Sequence, residues 1–260
     1  MDYSTIIYET SNDGVATITI NRPESMNSFN RTMCNEFHDA WKRVREDNQV
    51  KAVVLRAAGK RAFCTGVDVK EGLKYPADMS PFDVEDPSVW LGPKQNLVWK
   101  PVVCAVSGMA AGGAFYWLNE SDVIICGESA TFFDPHVTFG MVSACEPTGM
   151  MHRIPYLEIM RIILMGNDER ISAQTALRIS LVTEITSDEG LWARAHEIAA
   201  GMAAKPAAAI QGTVRCMWEG RDMPPSVALI NSFKYTQLGN HIGTAEVNRA
   251  TAPKAKWKLR

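Results

Sequence analysis

Two glycine turns and one histidine carry most of the chemistry available to this sequence. From Pro101, an apolar and β-branched run, Val102 to Val106, reads as a buried strand. Ser107-Gly108 ends it, and Gly112-Gly113 stands where a helical pattern over 114–118 begins. Glycine permits close backbone approach, and the first-turn N–H groups of a helix have no intrahelical acceptor. Such groups can point at a developing negative charge, with the helix dipole behind them. A glycine-lined turn that only packs the helix on the strand is the plainer alternative, and this stretch alone does not choose. A second stretch, Arg61-Ala62-Phe63-Cys64-Thr65-Gly66-Val67-Asp68-Val69-Lys70, also follows an apolar strand and also turns at a glycine. His136 follows Asp134-Pro135. Histidine titrates near neutrality and is the commonest general base; a loop histidine that shapes a pocket or is satisfied by backbone is the alternative.

These groups need elements to hold them. Residues 3–20 alternate apolar and polar around Asn12-Asp13-Gly14, a hairpin signal. Phe29, Met33, Phe37, Trp41 and Val44 then recur at helical spacing, with Asn30 as N-cap. Strands are expected over 50–57, 102–106, 122–126 and 130–133, and Asp68 is expected to cap a short turn. From Glu146 the pattern is helical: 156–164, a helix opened by Ser172, a strand over 181–185, a helix over 188–204, and a break at Pro206. Strand, helix, strand recurring through two-thirds of the chain predicts an α/β fold of ββα units, not a doubly wound nucleotide fold. No GxGxxG opens a helix after the first strand, and neither a P-loop nor HExxH is present. Residues 71–99, with Pro76, Pro81, Pro87 and Pro93, read as a polar insert: a cover over a pocket closed by Trp90 and Leu91, or a surface loop.

The chain has 260 residues, 46% hydrophobic and 22% charged, with a net charge of −2. That balance gives no sign of a nucleic-acid or membrane-surface partner. Met1-Asp2-Tyr3-Ser4 lacks the basic start and apolar core of a signal peptide, and no apolar run reaches spanning length. The six cysteines form no CxxC pair, which fits reduced thiols, and Cys145 reads as a core cysteine. The expected location is the cytoplasm.

The two glycine stretches, with the opening Val15-Ala16-Thr17-Ile18-Thr19-Ile20-Asn21-Arg22-Pro23, resemble the signature of the enoyl-CoA hydratase/isomerase (crotonase) superfamily. The resemblance runs to about Val182, with a weaker C-terminal match. It implies a spiral of repeated ββα units over 1–200 and a C-terminal helical trimerisation region over 201–260. It implies an acyl-CoA substrate whose thioester oxygen is held by the backbone N–H groups of Val67 and Gly113. Met26 and Asn27 are placed by it beside the CoA adenine and Lys70 near the CoA phosphates. Thr65, Asp68, Val69, Met109 and Gly112 are the other implied contacts. Arg22 and Arg61 are weaker phosphate candidates, with solvated surface charge as the alternative. The basic tail over 253–258 is expected at a subunit interface of a homotrimer or dimer of trimers. No metal or separate cofactor is implied, coenzyme A being part of the substrate.

The chain departs from that pattern at the two glutamates by which hydratase members add water to an enoyl thioester. Tyr116 and His136 stand there instead. Tyrosine is too weak an acid to replace a carboxylate base at neutral pH, so Tyr116 reads first as an aromatic wall. A histidine in this place, oriented by a carboxylate, resembles the carbon–carbon bond hydrolases of the superfamily. Asp134 and Glu146 are the candidate partners. The competing expectations are an acyl-CoA enzyme working through enolate or oxyanion stabilisation, a hydrolase with His136 as base, and a catalytically silent acyl-CoA-binding or RNA-binding member. RNA binding is disfavoured by the acidic net charge and the absence of a long basic run.

Overall fold

The computed structural model describes residues 2–73, 82, 86–248, 250, 257 and 259. Its Cα framework divides into a unit over Met1–Ala203 and another over Ala204–Arg260. In the first, β1 (Ile6–Thr10) and β2 (Val15–Ile20) pair antiparallel through the Asn-Asp-Gly turn, where Gly14 takes a left-handed φ of 82°. Helix α1 (Arg31–Glu46) starts where the Asn30 side chain accepts the Met33 N–H at 2.9 Å, and it buries Met33, Phe37, Trp41 and Val44. Three strand pairs follow: β3 (Ala52–Ala57) and β4 (Ala62–Cys64), β5 (Val102–Val106) and β6 (Met109–Ala111), then, after α2 (Phe115–Glu120), β7 (Val123–Gly127) and β8 (Thr131–Phe133). The remaining elements are α3 (Cys145–Met150), α4 (Tyr156–Met165), β9 (Ile171–Ser172), α5 (Ala173–Arg178), β10 (Glu184–Thr186) and α6 (Leu191–Ala203).

The first strand of each pair joins a six-stranded sheet in the order β1-β2-β3-β5-β7-β10, parallel beyond the first hairpin. The second turns a corner into a four-stranded sheet ordered β4-β6-β8-β9. Strand β5, and β3 as far as Leu55, read as continuous apolar runs because both faces of the larger sheet are covered. One face meets α1 and α2 through Leu55, Val102, Cys104, Phe37, Trp41 and Trp117. The other meets α6, whose Leu191, Ala195, Ala199 and Ala203 recur every four residues and pack on Val54, Val103, Ala105 and Ile125.

Four expectations are corrected here. Leu91 does not close a pocket: it is fully buried in the main core, and its carbonyl accepts the Trp41 indole N–H at 2.8 Å. Trp90 packs on His38 and Arg31 of α1; the rest of the expected cover, 74–81 and 83–85, lies outside the described residues. The strand expected over 181–185 shortens to Glu184–Thr186, because the N–H groups of Leu181 and Val182 go to the Ala176 carbonyl at the end of α5. Helix α6 starts at Leu191, not 188; Asp188 instead accepts the Ser129 N–H. Cys145 is exposed, while the other five cysteines are buried and all six are free thiols.

In the second unit, Pro206 and Pro224 precede α7 (Ala207–Gly220) and α8 (Pro225–Ala245), which pack on each other. Glu219 of α7 pairs with Arg215 and with Lys234 of α8 and accepts from Tyr235. The tail over 253–258, apart from Trp257, lies outside the described residues. Among the described residues, no helix is long and apolar enough to cross a membrane.

Candidate active site

Strands β4, β6 and β8 are parallel neighbours, and each runs directly into one of the stretches singled out above: Thr65-Gly66-Val67, Gly112-Gly113 and Asp134-Pro135-His136. The three loops touch. Gly66 takes φ 88°, and a Cβ there would lie 3.3 Å from the Gly113 nitrogen. A Cβ on Gly113 would lie 2.4 Å from Phe29 Cε1, so only glycine fits. Gly112 takes φ 51°, and a Cβ there would meet His136 Cε1 at 3.5 Å. The Phe29 N–H donates to the Gly66 carbonyl (2.9 Å), and the Asp68 N–H donates to the Phe29 carbonyl (2.8 Å). Between these bonds the Val67 N–H has no backbone acceptor among the described residues. The Gly113 N–H, in the short 3-10 turn Gly112–Ala114 ahead of α2, precedes any helical carbonyl that could take it.

Opposite these amides is a line of three side chains. Asp134 is fully buried, and its Oδ1 accepts the His136 N–H at 3.0 Å and lies 2.7 Å from Nδ1. The other ring nitrogen, Nε2, faces Glu146 Oε1 at 3.8 Å. The bond to Asp134 raises the His136 pKa above its ordinary 6.5; burial opposes this, and the Asp134 and Glu146 charges add to it. Burial pushes the Glu146 carboxyl up, only partly offset by its backbone contact and by His136. Asp134 stays below the usual carboxylate range: burial would raise it, but the bonds from His136 outweigh that. With an ionised carboxylate on Nδ1, a neutral His136 carries its proton there and offers Nε2 as the basic atom.

Tyr116 stands one turn beyond Gly113, edge-on to Phe29 with ring centroids 6.3 Å apart. Burial drives its pKa far above that of free tyrosine, so the hydroxyl keeps its proton. Met26 and Asn27 form a left-handed turn, with φ 54° and 55°. The Asn27 side chain is spent on the protein, accepting the Arg22 N–H and donating to the Ala58 and Ala62 carbonyls. Thr65 Oγ1 lies 3.5 Å from the Met26 carbonyl. Asp68 caps its turn as expected, accepting the N–H groups of Lys70 and Glu71. Val69 and Lys70 are exposed, Arg61 is exposed, and Met109 lies against Arg170.

Sequence reasoning missed the place of Phe29 and the partners of Arg22. Phe29 falls on the core stripe of α1, and nothing local shows its ring pressed on Gly113. Arg22 reads as a phosphate candidate or a solvated charge, yet its side chain is only 11% exposed and is ion-paired with Asp68 and Glu71.

The enoyl-CoA hydratase/isomerase family model matches residues 10–226. The chain belongs to this family. A (E)-benzylidenesuccinyl-CoA hydratase of Thauera aromatica is 32% identical over 220 residues, 84% of each chain. A 1,2-epoxyphenylacetyl-CoA isomerase of Escherichia coli K12 is 32% identical over 197 residues, 74% of each. The crystal structure of an enoyl-CoA hydratase/isomerase from Mycobacterium paratuberculosis superposes with a TM-score of 0.83 at 34% identity, covering 91% of this chain and 90% of that one. The protein is an acyl-CoA-processing enzyme of this superfamily, with the crotonase fold and C-terminal helices.

Proposed function

We propose that the enzyme binds an acyl-CoA, polarises its thioester carbonyl with the N–H groups of Val67 and Gly113, and moves a proton at the neighbouring carbon with His136. The observation that carries this reading is the Asp134–His136–Glu146 line, at 2.7 and 3.8 Å, beside Gly112. Neutral Nε2 takes the proton, and the electron pair of the broken C–H bond passes to the thioester oxygen as an enolate. Two preorganised donors stabilise that charge; losing one such donor typically costs about 10²–10³ in rate. Asp134 holds the imidazolium. Glu146, whose carboxyl burial shifts upward and which faces Nε2 at 3.8 Å, passes the proton on, and Tyr116 forms a wall of the acyl pocket. No cofactor is needed beyond the CoA of the substrate. The reading includes the cytoplasm as location and a homotrimer or dimer of trimers as assembly, with CoA contacts at Met26, Asn27, Thr65, Val69, Lys70 and Met109.

The position of Nε2 also favours a second reaction at the same site. With Nδ1 committed to Asp134, Nε2 can deprotonate water, which attacks a second carbonyl in a β-dicarbonyl acyl-CoA. The carbon–carbon bond breaks, its electron pair becomes the thioester enolate, and the imidazolium returns the proton to carbon. This reading sets aside hydration by two glutamates, because Tyr116 and His136 stand where the family resemblance implies them. The two relatives above are named for benzylidenesuccinyl-CoA and 1,2-epoxyphenylacetyl-CoA, CoA esters bearing a phenyl or an epoxidised phenyl ring, which directs the choice of substrates.

The test is a panel of crotonyl-, cinnamoyl-, phenylacetyl- and acetoacetyl-CoA in deuterated buffer, followed by mass spectrometry and ultraviolet absorbance. Deuterium at the carbon next to the thioester, or cleavage of acetoacetyl-CoA, is the expected result, with either one lost in His136→Gln. Hydration of crotonyl-CoA at an ordinary enzymatic turnover would overturn the assignment.

A further inference from the structure

Arg22 lies at the end of β2, outside the line of reacting groups, yet it joins the two segments that define the first amide donor. Its Nη1 donates to the Ser28 carbonyl at 2.7 Å. Its Nη2 lies 2.8 Å from Glu71 Oε1 and 3.0 Å from Asp68 Oδ2. The far oxygens of both carboxylates are also engaged. Asp68 Oδ1 accepts the N–H groups of Lys70 (3.0 Å) and Glu71 (3.3 Å), and Glu71 Oε2 accepts the Asn30 side-chain N–H at 2.6 Å. One planar cation thus ties segment 22–30 to segment 66–71, a linkage that suits a fork of fixed donors and not a point charge. Val67 sits inside this tie, between the Gly66 carbonyl and the Asp68 N–H that bond Phe29. The pairing is largely shielded, with Arg22 11% and Asp68 9% exposed, so solvent screens it little; Glu71, at 50%, is the weaker arm.

We propose that Arg22 is a positioning residue for the oxyanion: through Asp68 and Glu71 it fixes the direction of the Val67 N–H, and so sets how strongly the bound thioester is polarised without touching it. The inference rests on the proposed role of that amide. Displacing a catalytic group by about 1 Å can cost on the order of 10²-fold in rate while leaving binding energy from distant parts of the ligand intact. The loss is therefore read in kcat and carbonyl polarisation, not in affinity for CoA.

The experiment uses the full chain and cinnamoyl-CoA labelled with ¹³C at the thioester carbonyl, whose infrared stretch falls when the oxygen is hydrogen-bonded. In the wild type the stretch should fall on binding. In Arg22→Gln most of that fall should be lost, with an unchanged dissociation constant and kcat about 10- to 100-fold lower on the best substrate of the panel. Arg22→Lys should recover only part of it. Glu71→Gln, at a half-exposed position that leaves the Arg22–Asp68 pair in place, should give a smaller loss in the same direction, and it decides the matter if Arg22→Gln does not fold. No fall in the wild type would remove the donor role of Val67 and this inference together. A wild-type fall that persists unchanged in Arg22→Gln, or in a sole surviving Glu71→Gln, would overturn the inference and leave the donor role standing.

Discussion

Around Gly66 and Gly113 an added methyl group would be crowded, 3.3 Å from the Gly113 nitrogen in one case and 2.4 Å from Phe29 in the other, and the Gly66 carbonyl and the Asp68 N–H are both tied to the Phe29 backbone. Past His136 the same chain exposes Phe139, Met141 and Val142 before it reaches Glu146. The first region presents backbone atoms and is closed by Phe29, Arg22 and two glycines. The second presents side chains on short helical turns, with Asp134 as its main buried anchor. What differs is replaceability. A backbone donor survives most substitutions that keep the turn, whereas the acid–base group changes with a single residue.

The largest test of that contrast is His136→Gln, which keeps size and polarity but cannot cycle a proton. Loss of the base should lower turnover by about 10²–10⁴-fold and abolish the acid limb of the pH–rate profile, while affinity for the CoA ester changes little. A retained acid limb with near-normal rate would make His136 a wall and move proton transfer to Glu146. Next is Gly113→Pro, which removes one N–H and should cost about 10²–10³ in rate. Circular dichroism and subunit size must match the wild type, because the new ring also presses on Phe29. An assembled variant with full turnover would exclude that amide. The smallest effect is expected for Asp134→Asn. In the wild type the acid limb should lie above 6.5, since Asp134 raises the His136 pKa. Removing the charge should move the limb to lower pH by about one pH unit or more. The sign of the stability effect is the reverse of a salt-bridged carboxylate's. The imidazolium–Asp134 pairing stabilises the fold fully below the unfolded histidine value and is lost as pH rises through the raised folded one. A wild-type protein whose urea midpoint shows no such decline, when compared with Asp134→Asn, would mean that the pair does not hold a proton.

The same division governs what could be read from the sequence. The strands through 52–55 and 102–106 were legible because burial on both faces imposes an apolar run, and Asn30 and Gly14 were legible because capping and tight turns demand particular residues within four positions. Gly66 and Gly113 announced a close approach but not its partner. Arg22 and Glu71 are 49 residues apart, so no local pattern separates that pair from two solvated surface charges. Trp90 and Leu91 looked like a cover because prolines and acids surround them; the Trp41 bond that draws Leu91 into the core is a tertiary fact. His136 was legible as a candidate from its type and place, while the distance to Glu146 depended on how the chain turns between them.

The parallel pairing of β4, β6 and β8 also acts as a ruler. Each of the three working loops leaves the end of its own strand, and adjacent strands in a sheet lie about 4.8 Å apart. The spacing of the three strand ends is therefore graduated in strand widths and set by ladder hydrogen bonds. Evolution or an engineer can exchange what stands at each mark, but cannot slide the marks. Substrates suited to this scaffold are those whose oxygen and reacting carbon fall on that fixed scale.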